Sequence, residues 1–270
     1  MKKFFYIIIC LSISLQPVYA WGKLGHRVVA KVAENHLTAE AKQLVSIILK
    51  GKSLPQISTW MDDIKSDPNK ELKRFRTWHY IDEGKQNKKG DLLVGLDFAT
   101  NILTKRDSFN EQEQFEALAI LVHLMGDLHQ PLHVGNGLDW GANKCYVNWY
   151  SKYRRTSLHK VWDNYLPSST GLSYSEFAEF IDHVDKDDEN RILRGTTRDW
   201  MNESRKLHAE IYPESLDGKW HSYCGIPKSQ PVPTLSYKYV YRNTPIIEKQ
   251  MLQAGIRLAG LLNKIASVKS

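Results

Sequence analysis

Histidine and aspartate recur along this chain at spacings that suit a bound metal ion. His123 and Asp127 stand four residues apart, which on a helix places them about 40° apart and pointing the same way. His133 follows just past Pro131, and His159 with Asp163 repeats the i, i+4 pairing. Upstream lie His26, then Asp62 after Trp60-Met61, then His79 in Trp78-His79-Tyr80-Ile81-Asp82. Imidazole plus carboxylate is the donor set of zinc sites that hydrolyse esters. One His/Asp pair is commonly a solvated helix face; two pairs with a third histidine between them point to metal. His129 falls about 240° around from His123, on the stripe of Phe115, Leu118, Val122 and Met125, and reads as a packing or supporting residue. His36, His183, His208 and His221 have no partner of suitable type nearby in sequence and read as structural or surface residues.

Helices must position these side chains. Apolar periodicity predicts helices over 23–36, 38–50 (opened by Thr38 as N-cap), 111–129, 157–166, 174–184, 189–212 and 244–267. The 111–129 helix is the strongest and stops before Pro131. Short strand-like pieces fall near 77–82, 145–150 and 235–241. Gly, Lys and Asn crowd 84–90, which reads as a loop, and Pro213, Pro227, Pro231 and Pro233 mark 213–234 as an excursion between helices. The expected fold is mostly α, one multi-helix domain with long loops.

Composition supports a globular exported chain. With 270 residues and 42% hydrophobic content, disorder is excluded. Lys2-Lys3, the apolar stretch Phe4 to Leu15 and Val18-Tyr19-Ala20 read as an export signal, residues 1–20, cleaved after Ala20; a buried N-terminal helix is the alternative. Cleavage leaves 35 basic against 30 acidic side chains, a charge of +5, and two cysteines, Cys145 and Cys224. Whether these two pair is open from sequence. No later run of about 18 apolar residues exists, so no membrane span is expected.

The chain resembles the S1/P1 nuclease family, zinc-dependent nucleases that also act as 3′-nucleotidases. The resemblance rests on Trp21-Gly22 with His26, Trp60-Met61-Asp62, His79-Tyr80-Ile81-Asp82, the block from His123 through Asp127 to His133, Asp139-Trp140-Gly141-Ala142-Asn143, Leu158-His159 with Asp163, and Trp200-Met201-Asn202-Glu203-Ser204. It covers essentially residues 21–270, which it implies are one nuclease domain of the phospholipase C/P1 nuclease type. It implies three Zn2+ ions: one on Asp62, His79, His123 and Asp127; one on the α-amine and carbonyl of Trp21, His26 and the shared Asp127; one on His133, His159 and Asp163. A terminal amine freed by export would thus complete the site. The sequence departs from the family pattern at Ala142, usually Gly; at Ser157, commonly Asn; and at position 65, often Arg, where Lys65 lacks the planar bidentate contact of a guanidinium. The glycosylation signal Asn202-Glu203-Ser204 lies in a predicted helix, where no sugar is expected.

The implied chemistry is phosphodiester hydrolysis of single-stranded DNA or RNA, and of 3′-nucleotides, to 5′-phosphorylated products. A hydroxide between the two Asp127-bridged zincs is expected to attack phosphorus in line, with Lys65 adding positive charge in the transition state. Asp82 would hydrogen-bond a base or orient a ligand, Tyr80 would stack a base, and Asn143 would contact substrate. Tyr146, Trp149, Tyr150 and Tyr153 would extend an aromatic surface. A monomer without stable membrane association, periplasmic or extracellular, is expected. The alternatives are a zinc-dependent phospholipase C of the same fold, disfavoured by Asp163 in place of Glu and by the short Trp21–His26 spacing, and a non-catalytic secreted zinc-binding protein.

Overall fold

The computed structural model describes residues 21–85, 87–227 and 229–268; the expected export signal, 1–20, lies outside them. The fold is mostly α, as its apolar periodicity requires. Helix α1 (Lys23–Asn35) and α2 (Ala39–Leu49) are followed by short turns at Leu54–Ile57 and Trp60–Asp63 and a 3-10 stretch at Glu71–Thr77. Then come α3 (Leu92–Thr104), α4 (Glu111–Leu128), and a 3-10 turn at Pro131–His133. After a small sheet, a helical segment over 158–168 leads to α5 (Tyr174–Ile181), α6 (Lys186–Ile192), α7 (Thr197–Lys206) and the long α8 (Tyr237–Ser267).

Helix α4 is the axis of the molecule. Asn110 caps it through a capping box with Glu113, satisfying N–H groups that the first turn leaves free. From Ala117 to Leu128 every residue is buried, because α3, α8, α1 and α2 all pack against it. Thr38 caps α2 by accepting from the Ala41 N–H. The sheet has three strands, β1 (Tyr146–Trp149), β2 (Arg155–Ser157) and β3 (Thr234–Leu235), in the order β2-β1-β3. β1 pairs antiparallel with β2, Val147 opposite Thr156, and parallel with β3, Asn148 opposite Thr234. Cys145 and Cys224 form a disulfide, which ties the 213–234 excursion to the start of β1. Among the described residues no helix is long and apolar enough to cross a membrane.

Several local expectations need correction. The 77–82 piece is not a strand: it holds to 133–135 by two bonds, Ile81 N–H to the His133 carbonyl (2.9 Å) and Glu83 N–H to that of Gly135 (3.0 Å), too few for a ladder. Of 235–241, Leu235 alone is in a strand, and helix begins at Tyr237. The 189–212 helix is broken between α6 and α7 at Gly195, whose φ of +92° a helix cannot hold, and α7 is followed by a separate short turn at His208–Ile211. The 157–166 helix contains a π turn over Val161–Tyr165. Helix α3 has no counterpart in the sequence reading: Leu92-Leu93-Val94-Gly95-Leu96 is almost uniformly apolar and contains Gly95, whose missing Cβ leaves room for Leu124. Two histidines without local partners acquire distant ones. His36 Nε2 lies 2.7 Å from Asp182 Oδ1, and His221 Nε2 lies 2.5 Å from Asp139 Oδ2.

His36 joins the end of α1 to the end of α5. The hydrogen bond to Asp182 raises its pKa above 6.5, against partial burial. Burial pushes Asp182 upward, but the bonds from His36 and Asn35 hold it below 3.8. The raised histidine stabilises fully below its unfolded value and loses the effect as pH climbs through its folded one. The depressed carboxylate behaves oppositely, so the pair contributes fully between pH 3.8 and 6.5. His36→Gln should therefore cost on the order of 1 kcal/mol in that window and progressively less above it, measured by urea unfolding across pH. Replacing both Cys145 and Cys224 by Ser, which opens a link spanning 79 residues, should lower stability by about 2–4 kcal/mol, read from the denaturant midpoint without reductant.

Candidate metal centre

Each element delivers one or two ligand-type side chains to the same place. α4 presents His123 and Asp127 one turn apart, and α1 presents His26. The Trp60–Asp63 turn supplies Asp62, and the chain leaving Glu71–Thr77 supplies His79. His133 ends the Pro131–His133 turn, and the 158–168 segment carries His159 and Asp163. His26 approaches α4 closely because residue 126 is Gly, where a Cβ would lie 2.7 Å from His26 Nδ1. All eight side chains are buried, none more than 6% exposed.

Asp127 stands at the middle. Its Oδ2 is 3.1 Å from His79 Nδ1 and 3.3 Å from His123 Nε2. Its Oδ1 is 3.4 Å from His26 Nε2 and 3.7 Å from His133 Nδ1. Asp62 Oδ1 lies 3.9 Å from both His79 Nδ1 and His123 Nε2. On the far side His159 Nε2 is 3.1 Å from Asp163 Oδ2, and His133 Nε2 is 3.7 Å from Asp163 Oδ1. Among these eight side chains, ligand atoms gather within 4.8 Å of one another in three groups: His26, Asp62 and His123; His79, His123 and Asp127; His133, His159 and Asp163.

Backbone carbonyls orient three of the rings. His123 Nδ1 donates to Ser58 (2.8 Å), His133 Nδ1 to His79 (2.6 Å) and His159 Nδ1 to Gly141 (2.6 Å). Such bonds fix the tautomer and leave Nε2 as a free donor of electrons. Asp163 Oδ1 accepts from the Gln130 amide at 2.5 Å.

The remaining polar atoms test whether the site suits a cation. Both ring nitrogens of His26, His79 Nε2, His133 Nε2, Asp62 Oδ2, Asp127 Oδ1 and Asp163 Oδ2 are buried without a hydrogen-bond partner. Orphans of this kind are rare and costly. A cluster of them, all imidazole nitrogen or carboxylate oxygen, fits divalent metal ions of the zinc type. Protonation alone is a poor substitute. Burial and the Lys65 charge push His79 down to about 4. Burial opposes the His133 proton, yet Asp127 and Asp163 pull that ring up to about 9. Burial raises Asp127, but His123 and His133 outweigh it and keep the carboxylate ionised.

A cavity of about 740 Å³ opens above this floor and reaches His79, His133 and His159. Tyr80, Asp82, Lys65 and Asn143 all line it. Tyr80 stands 43% exposed at its rim. Lys65 Nζ pairs with Asp62 Oδ1 at 2.6 Å. Asn143 spends its amide on the Trp140 carbonyl, 2.9 Å away. Trp21 is fully buried, and the Gly22 N–H donates to the Asp163 carbonyl at 2.7 Å, so the start of the described chain is seated beside the cluster. None of Tyr146, Trp149, Tyr150 and Tyr153 lines the cavity. His129 packs as expected, donating to the Met125 carbonyl and facing Arg257 at 3.0 Å.

Other contributors were missed in the sequence. Trp140 lines the cavity and is 63% exposed. It begins three consecutive residues with left-handed φ, Trp140 (+59°), Gly141 (+57°) and Ala142 (+61°). A Cβ is disfavoured at such a φ, so Ala142 occupies a position where glycine would be easier. Asp139 holds the turn: Oδ1 accepts from the Ala142 N–H at 2.7 Å, and Oδ2 meets Tyr212 and His221. Through Gly141 this turn aims His159. The Asp139-Trp140-Gly141-Ala142-Asn143 motif was visible; its mechanical role needed Tyr212 and His221, more than 70 residues away.

A family model described as S1/P1 Nuclease matches residues 21–267. The chain is similar to Endonuclease 1 of Arabidopsis thaliana, 30% identical over 97% of this chain and 91% of the relative. It is also similar to Nuclease S1 of Aspergillus oryzae, 28% identical over 94% and 95%, and to Nuclease P1 of Penicillium citrinum, 26% identical over 91% and 97%.

Because unpaired ligand atoms destabilise the folded state until a cation joins them, bound metal and stability should be linked. Protein stripped by a chelator should melt at lower temperature and recover when Zn2+ is returned. Asp127→Asn should lose most of that recovery, as read by thermal unfolding with and without the ion.

Proposed function

The chain belongs to the S1/P1 nuclease family, and we propose that it hydrolyses single-stranded nucleic acid with three Zn2+ ions, releasing 5′-phosphorylated products and acting on 3′-nucleotides as well. The observation that carries this reading is the set of unpartnered, fully buried imidazole and carboxylate atoms beneath an open cavity. Asp62, His79, His123 and Asp127 would hold one ion; Trp21, His26 and Asp127 a second; His133, His159 and Asp163 a third. Zinc in such a site supplies an activated water near neutral pH and neutralises charge on the phosphoryl oxygens.

The chain's own residues do the rest. Asp127 presents one carboxylate oxygen to each side of the cluster, the arrangement needed to share two ions. His133 and His159, aimed by carbonyls, face the cavity where a phosphate would enter. Lys65, beside Asp62, adds positive charge at the wall and replaces the guanidinium common in the family. Tyr80 and Trp140 are exposed aromatics on the same cavity, so an unpaired base has faces to lie against, with Asp82 and Asn143 offering polar contacts. Duplex bases are already stacked and cannot present those faces, which favours a single strand.

Residues 1–20 are proposed to be removed on export, giving a monomeric enzyme whose free Trp21 amine joins the cluster; the burial of Trp21 against it supports this. His133→Ala is the decisive variant. Hydrolysis of single-stranded DNA should fall by more than the ~100-fold typical of losing a mere supporting residue, with circular dichroism unchanged and bound zinc reduced by one ion. Undiminished hydrolysis would reject this centre.

A further inference from the structure

One wall of the cavity carries cations that the chemistry above does not use. Arg76, Lys85, Lys88 and Lys89 line it, and all four are exposed. Lys65 on the same cavity is paired with Asp62, whereas among the described residues none of these four makes an ion pair. The carboxylates closest at hand are otherwise engaged or few. Asp91 accepts from the Leu93 and Val94 N–H groups as the cap of α3, leaving Asp82 as the other acidic side chain on the cavity.

The described residues on either side of 86 are tied by backbone bonds. Trp78, itself buried, donates its indole N–H to the Lys89 carbonyl at 3.0 Å. Lys85 N–H reaches the Asp82 carbonyl (3.3 Å), Gly90 N–H that of Asn87 (3.0 Å), and Leu92 N–H that of Tyr80 (3.3 Å). The charges are therefore held beside His79, Tyr80 and Asp82. Four like charges along one wall repel one another, and a polyanion lying on them would relieve that repulsion while releasing its own counterions. His79, His133 and His159 of the floor line the same cavity as these four cations, so a strand with one phosphate at the floor would carry its neighbouring phosphates past them.

We propose that Arg76, Lys85, Lys88 and Lys89 form a phosphate track that grips the backbone of a single strand beyond the scissile phosphate and makes the site favour polynucleotides over mononucleotides. The proposal rests on the reading of the floor as a phosphodiester-hydrolysing centre. The track acts on substrate binding, so it shows in salt dependence: each phosphate contact contributes about 0.7 to the log–log slope for a single strand.

The test compares wild type, the triple variant Lys85→Ala/Lys88→Ala/Lys89→Ala and the matching triple Lys→Arg variant. kcat/KM is measured over a salt series on a long single-stranded oligodeoxynucleotide and on a 3′-mononucleotide. The alanine triple should flatten the oligonucleotide slope by about 1–2 and lower the ratio of oligonucleotide to mononucleotide kcat/KM by about tenfold or more at low salt, while the arginine triple keeps both. An oligonucleotide slope that stays as in wild type, or arginine and alanine triples that behave alike, overturns the track and leaves the metal centre standing. If wild type hydrolyses neither substrate, the reading of the floor fails instead, and the track is then judged by fluorescence anisotropy of a labelled oligonucleotide over the same salt series. Lysine-dependent binding to phosphatidylserine vesicles with an unaltered oligonucleotide slope also overturns it, assigning the wall to a lipid surface.

Discussion

Five imidazoles and three carboxylates share one water-poor core, and much of the architecture follows from that crowding. Side chains of these types are ordinarily solvated or paired, since a buried polar atom without a partner costs more than a formed hydrogen bond returns. Protons cannot settle the cluster evenly: burial drives His79 down while two carboxylates draw His133 up. A divalent cation would resolve both pulls at once, because it satisfies lone pairs on nitrogen and oxygen and balances the carboxylate charge. From Ala117 to Leu128 helix α4 is therefore enclosed on every side. One of its faces belongs to the apolar core and another, with His123 and Asp127, to the cluster.

The long loops around α4 have a mechanical reason. Carbonyls inside a helix are already taken by the N–H four residues on, so a carbonyl that orients an imidazole is most readily supplied by a turn or an irregular segment. Ser58, His79 and Gly141 supply the three that are used, and none lies inside a regular helix. His79 serves twice, with its ring in one part of the cluster and its carbonyl aiming His133 in another, so a single peptide unit couples two groups of ligands. Gly141 sits in a left-handed turn that Asp139 holds, and Asp139 is held in turn by Tyr212 and by His221 next to the disulfide-linked excursion. The proline-rich stretch after residue 212 thereby supports the metal-binding floor from a distance.

Above that floor the surface changes character. Among the described residues, the exposed aromatics Tyr80 and Trp140 and four basic side chains that make no ion pair border the same opening, features that would be liabilities on an idle surface. The proposed single-stranded substrate would use both, its bases against the aromatics and its phosphates against the cations. Lys65 belongs to both regions, since its paired partner Asp62 is part of the cluster while its chain lines the wall.

The ligand-type residues were legible in the sequence because helical geometry is local. Four residues make about one turn, so His123 with Asp127 and His159 with Asp163 announce themselves by spacing alone. The caps at Thr38 and the stop before Pro131 are equally local, and so are the apolar stripes that define most of the helices. Convergence is a different matter. That Asp62, His79 and His26 join the pair on α4, that Cys145 meets Cys224, and that His36 and His221 find Asp182 and Asp139, all depend on contacts across dozens to well over a hundred residues, which no periodicity encodes. Helix α3 was hidden for the same reason, since Gly95 is favourable there only because Leu124 fills the space a side chain would occupy. Local chemistry named the ligand types, and packing decided which of them share one cavity, because a side chain's neighbours are set by how helices cross and not by where they fall along the chain.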